Sequence, residues 1–158
     1  MSRFEEGVKL IEKSCGKGKD NLIALATIAH EKSTEGNPIP YVREVDAMYE
    51  DGVFYITTWG QSNKIKQIAE NKEVGFVVCK KGISGSGVGE NLGWVMDPKN
   101  AELRLKLRKA FSKWYDHANN EKDENCVILA IRMTRGAIFR DEGALVYNLD
   151  FINNKEIE

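Results

Sequence analysis

Arg43 is the residue whose setting most needs a chemical explanation. On an extended strand, Tyr41, Arg43, Val45, Ala47 and Tyr49 share one face, and Val42, Glu44, Asp46 and Met48 share the other. Arg43 therefore stands in the middle of the more apolar face. A guanidinium cannot give up its charge at neutral pH, so it needs an anion there. Two sources meet the need: a carboxylate of the protein itself, or the phosphate or carboxylate of a ligand. The segment Thr57-Thr-Trp-Gly-Gln-Ser-Asn-Lys64 favours the ligand. It runs off a strand end into a helix start, which offers free backbone N–H groups and the positive end of a dipole. Thr57, Thr58, Ser62 and Asn63 add short polar side chains, and Lys64 adds a second positive charge. A hairpin that brings Arg43 beside them composes a phosphate cradle. Taken singly, Ser62 or Asn63 serves equally well as a helix cap and Lys64 as a solvated side chain.

Those residues need strands and a short helix to hold them, and the hydrophobic pattern supplies both. Phe4 to Lys13 has helical spacing. Leu22–Ala29 is an apolar run short enough for a strand buried on both faces. Tyr41–Tyr49 alternates, Glu50-Asp-Gly52 signals a hairpin turn, and Val53–Trp59 is rich in β-branched and aromatic residues. A short helix from Ser62 or Asn63 puts Ile65, Ile68 and Ala69 on one face, and Glu73–Cys79 is a further strand. Gly82–Gly93 is glycine-rich, and a fifth strand is expected at Trp94-Val-Met. Asp97-Pro98 starts a long helix carrying Leu103, Leu107, Phe111, Trp114 and Ala118, ended by Asn119 to Asn125. Strands at Val127–Met133, Gly136–Phe139 and Val146–Phe151 complete the chain. Short strands joined by hairpins predict a mainly β (α+β) antiparallel barrel with flanking helices, not a doubly wound parallel sheet.

Composition sets outer limits on function. The 158 residues fit one domain, 1–158. Lys plus Arg total 23 and Asp plus Glu 24, a net charge of −1 that speaks against a general nucleic-acid binder. Cys15, Cys79 and Cys126 are three, widely spread and without a C-x-x-C pair, as expected of a reduced cytoplasmic protein with no disulfide framework or zinc site. The first residues, MSRFEEGVKL, carry acids where a signal peptide is basic and then apolar, and Leu22–Ala29 is far short of the roughly 20 residues that span a bilayer. No membrane partner is expected.

The order Pro40-Tyr-Val-Arg-Glu-Val-Asp-Ala-Met-Tyr, Asp51-Gly-Val-Phe-Tyr-Ile-Thr-Thr, Ser62-Asn-Lys64 and Asn71-Lys-Glu-Val-Gly-Phe-Val-Val resembles the FMN-binding split-barrel superfamily, which includes pyridoxamine 5'-phosphate oxidase and general-stress-protein flavoproteins. The match runs from about Asn21 to Lys80, with weaker similarity to about Phe151. The resemblance implies a split β-barrel, an FMN cofactor, and a homodimer with FMN at its interface. It gives Arg43, Ser62 and Lys64 the phosphate, and Thr57 and Thr58 the phosphate or ribityl chain. Backbone at Glu44 and Val45 lies against the flavin ring on this reading, and Asn91 and Trp94 are candidates to cover a partner's ring. For Trp94 and Trp114, core or dimer packing is the simpler reading. The chain departs from the oxidases in three places. Asn63 stands where they have arginine, Asp46-Ala-Met replaces a lysine-bearing segment, and their C-terminal Arg/His motif has no counterpart near Arg132 to Arg140.

The expected function is an FMN-dependent oxidoreductase passing hydride or electrons to a small-molecule acceptor, with no assigned catalytic side chain. The alternative is a non-catalytic stress protein that sequesters flavin or haem on the same barrel. Other motifs carry less. Gly85-x-Gly87-x-Gly89 misplaces the third glycine of a dinucleotide loop. Gly16-Lys-Gly-Lys lacks the spacing of a nucleotide-binding phosphate loop, and His30-Glu31 has no second histidine four residues from His30.

Overall fold

In the computed structural model, which describes residues 1–157, the chain runs α1 (Arg3–Cys15), β1 (Asn21–Lys32), β2 (Pro38–Glu50), β3 (Val53–Trp59), α2 (Asn63–Glu70), β4 (Glu73–Val78), β5 (Ile83–Trp94), α3 (Ala101–Ala110), α4 (Tyr115–Ala118), β6 (Cys126–Arg140), β7 (Leu145–Asp150) and β8 (Lys155–Glu156). Antiparallel pairing orders the strands β3-β2-β1-β4-β5-β6-β7-β8. β3 also pairs with β6 along its whole length, Val53 with Arg132 through Trp59 with Cys126, so β1 to β6 close into a barrel. The architecture is the mainly β split barrel with flanking helices that the sequence predicts. No helix among the described residues is long and apolar enough to cross a membrane.

Two cores explain the hydrophobic pattern. The barrel interior takes Ile23 and Leu25 of β1, Ala47 and Tyr49 of β2, Phe54 and Ile56 of β3, and Leu129 and Ile131 of β6. A second core lies outside the barrel wall, where Met48, Tyr55 and Ile128 meet Leu107, Phe111 and Tyr115. Alternate residues of β6 thus serve different cores, which is why its first half reads as a continuous apolar run. Helix α2 packs on β1 and β5, with Ile65 and Ile68 entering the barrel core.

Four sequence expectations change in detail. The glycine-rich stretch is itself the strand: β5 covers Ile83–Trp94 rather than beginning at Trp94. Its glycines let neighbours approach closely. A Cβ at Gly85 would stand 2.2 Å from the carbonyl oxygen of Arg135, and one at Gly89 2.9 Å from Ile68 Cγ2, so α2 could not seat where it does. The long helix is broken, because Trp114 leaves helical geometry (φ −139°) and stacks on Phe111 at 4.6 Å. That break lets Trp114 Nε1 donate to Asp20 Oδ2 (2.7 Å) and the Tyr115 hydroxyl donate to Glu121 (2.9 Å). The two strands expected at 127–133 and 136–139 are one continuous β6. On α2 the buried polar residue is Gln67, and Ala69 is exposed.

Candidate functional site

The barrel is open where Arg43 stands. β2 and β3 pair only at Met48–Tyr55, Tyr49–Phe54 and Glu50–Val53. β3 continues on β6, with which it pairs throughout, while β2 stays with β1 through Arg43, which pairs with Leu25. The gap leaves one edge of β2 without a ladder partner, and α2, packed on β1 and β5, reaches this strand through Gln67. The β2–β3 hairpin ladder therefore does not extend to Arg43; α2 links Arg43 to the Thr57–Lys64 segment, Gln67 accepting from Arg43 and Lys64 donating to Thr58.

Arg43 is held by neutral oxygens only. Nη1 donates to Thr27 Oγ1 (2.7 Å) and to the carbonyls of Leu25 (3.2 Å) and Tyr41 (3.3 Å), and Nη2 donates to Gln67 Oε1 (3.0 Å). Thr27 in turn donates to Gln67 Oε1 at 2.5 Å. Lys64, one helical turn before Gln67, donates to Thr58 Oγ1 at 2.8 Å. Among the described residues, neither cation forms a salt bridge, so the internal carboxylate considered for Arg43 does not occur. Burial disfavours the charge on both. The Lys64 ammonium has its pKa lowered by burial first and by the nearby Arg43 charge second. Two half-buried cations that repel each other, with no anion between them, are costly unless something else supplies the anion.

Two hydroxyls have unused hydrogen-bonding capacity. Ser62 occupies the N-cap position of α2, yet its side chain makes no cap bond. Its Oγ is buried without a partner, as is Thr57 Oγ1. The capping role that a serine usually fills at this position is therefore not what Ser62 does. Alternation along β3 separates the two threonines. Thr58 follows Phe54 and Ile56 toward the barrel side and Lys64, while Thr57 follows Tyr55 toward the outer core. Both threonines border a cleft of about 310 Å³ shared with Trp59, Asn119, Asp123 and Cys126. Burial pushes the Cys126 thiol up to about 11, so it is not a nucleophile at neutral pH.

The remaining candidates lie apart from the cation pair or at its rim. Asn63 is exposed at the first position of α2. Glu44 is exposed on the open part of β2, and Val45 packs on the barrel core. Asn91 Oδ1 accepts from the Gly93 backbone N–H (2.9 Å), closing a local turn. Trp94 donates from Nε1 to the Glu121 carbonyl (2.8 Å) and packs against the outer core, the simpler of the two readings of that residue. Sequence reasoning missed Thr27 and Gln67, the two buried polar groups that orient Arg43. Their signal was present: Thr27 interrupts an apolar strand, and Gln67 sits between Ile65 and Ile68 on the buried part of α2.

No sequence-family profile matches the chain, and no curated protein does. Solved structures do. A Clostridium acetobutylicum protein related to general stress protein 26, of the pyridoxinephosphate oxidase family, is 15% identical with a TM-score of 0.63, covering 98% of this chain and 99% of that one. A FAD-binding protein from Mesorhizobium loti is 20% identical with a TM-score of 0.59, covering 84% and 90%. A haem-binding protein from Mycobacterium smegmatis is 14% identical with a TM-score of 0.63, covering 95% of this chain and 58% of that one. The chain has the split-barrel fold of these proteins.

Proposed function

We propose that this protein binds FMN through Arg43, Lys64, Thr58 and Ser62 and acts as an FMN-dependent oxidoreductase of the pyridoxamine 5'-phosphate oxidase-like type. The observation that carries the reading is the pair of half-buried cations with neutral partners alone. A phosphate dianion is the complement of that charge, and charge-assisted contacts to it are strong. The spare Ser62 hydroxyl and the N-terminus of α2 suit the same group. The flavin-binding and pyridoxinephosphate oxidase-family neighbours support a flavin-type cofactor on this fold.

A bound flavin supplies hydride and electron transfer; the residues of this chain bind, orient and shield it. Arg43 and Lys64 fix the phosphate at the barrel mouth. The unpaired edge of β2 at Glu44 and Val45 offers backbone groups to a planar ring. No side chain at the cradle is placed as a general acid or base, so the chain's contribution is positioning and electrostatics.

The second copy in this reading comes from the sheet's outer face. Leu22 and Val77 are each 42% exposed and Val42 is 65% exposed. Ala24 pairs with Val77 and Ala26 with Val42, so these side chains share one face of the sheet, bordered on β2 by Glu44 and Asp46, which pair with Ala24 and Leu22. Such exposed apolar side chains call for a partner, and a homodimer covers them symmetrically.

A non-catalytic binder is the second reading, favoured by the absence of an acid or base at the cradle and by the haem-binding neighbour. Absorbance of the purified protein separates the two. Flavin bands that bleach with NADH or NADPH and return with an acceptor support the oxidoreductase. Flavin bands inert to both donors support the binder, a Soret band points to haem, and failure to bind FMN on reconstitution refutes the flavin reading.

A further inference from the structure

The acceptor beside Arg43 is an amide where a carboxylate of nearly the same shape would fit. Gln67 Oε1 lies 3.0 Å from Arg43 Nη2 and 2.5 Å from Thr27 Oγ1, and the two side chains' residues are only 5% and 1% exposed. A glutamate at position 67 would reach the same two partners and would close the guanidinium into an ion pair. We infer that Gln67, held by Thr27, is the charge selector of this site: it orients Arg43 without neutralising it, so that the cradle keeps both positive charges for a dianionic phosphate ester. The inference rests on the phosphate-cradle reading of Arg43 and Lys64, and it names the residues that set the site's preference for a phosphorylated ligand.

The hydrogen-bond pattern fixes the arrangement. Thr27 Oγ1 accepts from Arg43 Nη1, so its own proton is free to go to Gln67 Oε1. That oxygen also accepts from Arg43 Nη2, so both of its bonds demand the carbonyl end of the amide on this side. Two buried polar groups inside an apolar strand and on the buried part of a helix are expensive unless they are fully used. Here they are used to aim a cation. Because Gln67 follows Lys64 by three residues, one turn of α2 carries both the second charge and the neutral group that preserves the first. The alternative of neutralising Arg43 internally is one substitution away, which makes the amide a determinant of specificity.

The test compares wild type, Gln67→Glu and Gln67→Met in calorimetric titrations with FMN, riboflavin and inorganic pyrophosphate, and in ligand-free thermal melts. In Gln67→Glu, FMN affinity should fall about 10- to 100-fold, the worth of one charge-assisted contact. Riboflavin affinity should be unchanged, and the ligand-free protein should melt at or above the wild-type temperature. Gln67→Met keeps the charge and loses only orientation, so its FMN affinity should fall less than about tenfold. A purely structural role would move the methionine variant at least as far as the glutamate variant and would weaken riboflavin in parallel. Either of those patterns, or wild-type FMN affinity in a folded Gln67→Glu protein, overturns the inference. Wild-type protein that takes pyrophosphate and no flavin ends the flavin reading, and the selector is then judged by the same comparison on pyrophosphate. Protein that takes neither ends both.

Discussion

Replacing Arg43 and Lys64 by alanine together removes the whole positive charge of the cradle. Each charge-assisted contact to a phosphate contributes about 1.5–3 kcal/mol, which sets an additive ceiling of about 3–6 kcal/mol for the pair. The true loss is smaller than the sum, because both cations address one phosphate and the Arg43 charge already disfavours the Lys64 charge. A loss of about 3 kcal/mol, or somewhat over 100-fold in FMN affinity, is expected. The ligand-free fold should change little. Thr27 and Gln67 keep their mutual bond, Thr58 is at the barrel mouth, and the repulsion between the two charges disappears. Fluorescence titration with FMN measures the first effect, riboflavin provides the phosphate-free control, and thermal melts measure the second. FMN affinity within about threefold of wild type, in a double variant that melts cooperatively, would refute the assignment, since that change is under 1 kcal/mol.

Two further outcomes concern stability and pH. Glu121 accepts from Arg104, Arg108 and Tyr115, which hold its carboxyl down at about 2, well below the ordinary 4.5. A carboxyl depressed on folding stabilises the protein above its unfolded value, so this contribution should be lost as pH falls from about 4.5 toward 2. Glu121→Gln should cost about 2 kcal/mol at neutral pH, a drop of about 4–8 °C in Tm, and should flatten the acid limb of a Tm–pH series. Asp46 has the opposite sign: burial, and then the Asp20 carboxyl beside it, raise its pKa from 3.8 to about 6. Its ionised form is disfavoured by folding, so the penalty is full above pH 6 and vanishes below about 3.8. Asp46→Asn should therefore raise Tm at pH 8 and leave it unchanged at pH 3.5; a gain of equal size at both would show that charge is not the cause.

The sequence carried the barrel because its strands are written in side-chain alternation and turn residues. Val53–Trp59 matches its expected bounds, and the Asp51-Gly52 turn takes the positive φ values (49° and 81°) that its residues foretell. β5 was hidden because small residues depress strand propensity, while the reason for them, the close approach of Arg135 to Gly85 and of α2 to Gly89, lies 50 residues ahead in the one case and on the neighbouring helix in the other. The helix break at Phe111 to Trp114 was hidden for a similar reason: helical spacing continues through it, and the partners that pull Trp114 and Tyr115 apart are Asp20 and Glu121. At the site, Arg43 and Lys64 were legible as charges out of place. What aims them was not, because Thr27 and Gln67 are ordinary residues until the fold brings positions 40 residues apart to 2.5 Å.

The site and the barrel's irregularity have one origin. β3 pairs with β6 along its whole length but keeps β2 for only three residue pairs, and this divergence from β2 accompanies the closure of the barrel. It also strips the adjoining stretch of β2 of a neighbour on one side, and an edge of unpaired N–H and C=O groups is unstable against anything that can bond to it. Had β3 continued along β2, this edge would be sealed by a ladder, and Arg43 would be pressed into an apolar interior with no route for an anion. Instead Gln67 of α2 accepts from Arg43 of β2, while Lys64 of the same helix donates to Thr58 of β3. On the proposed reading, lengthening the β2–β3 ladder would strengthen the sheet and abolish the cradle, so the split trades strand pairing for an opening beside Arg43.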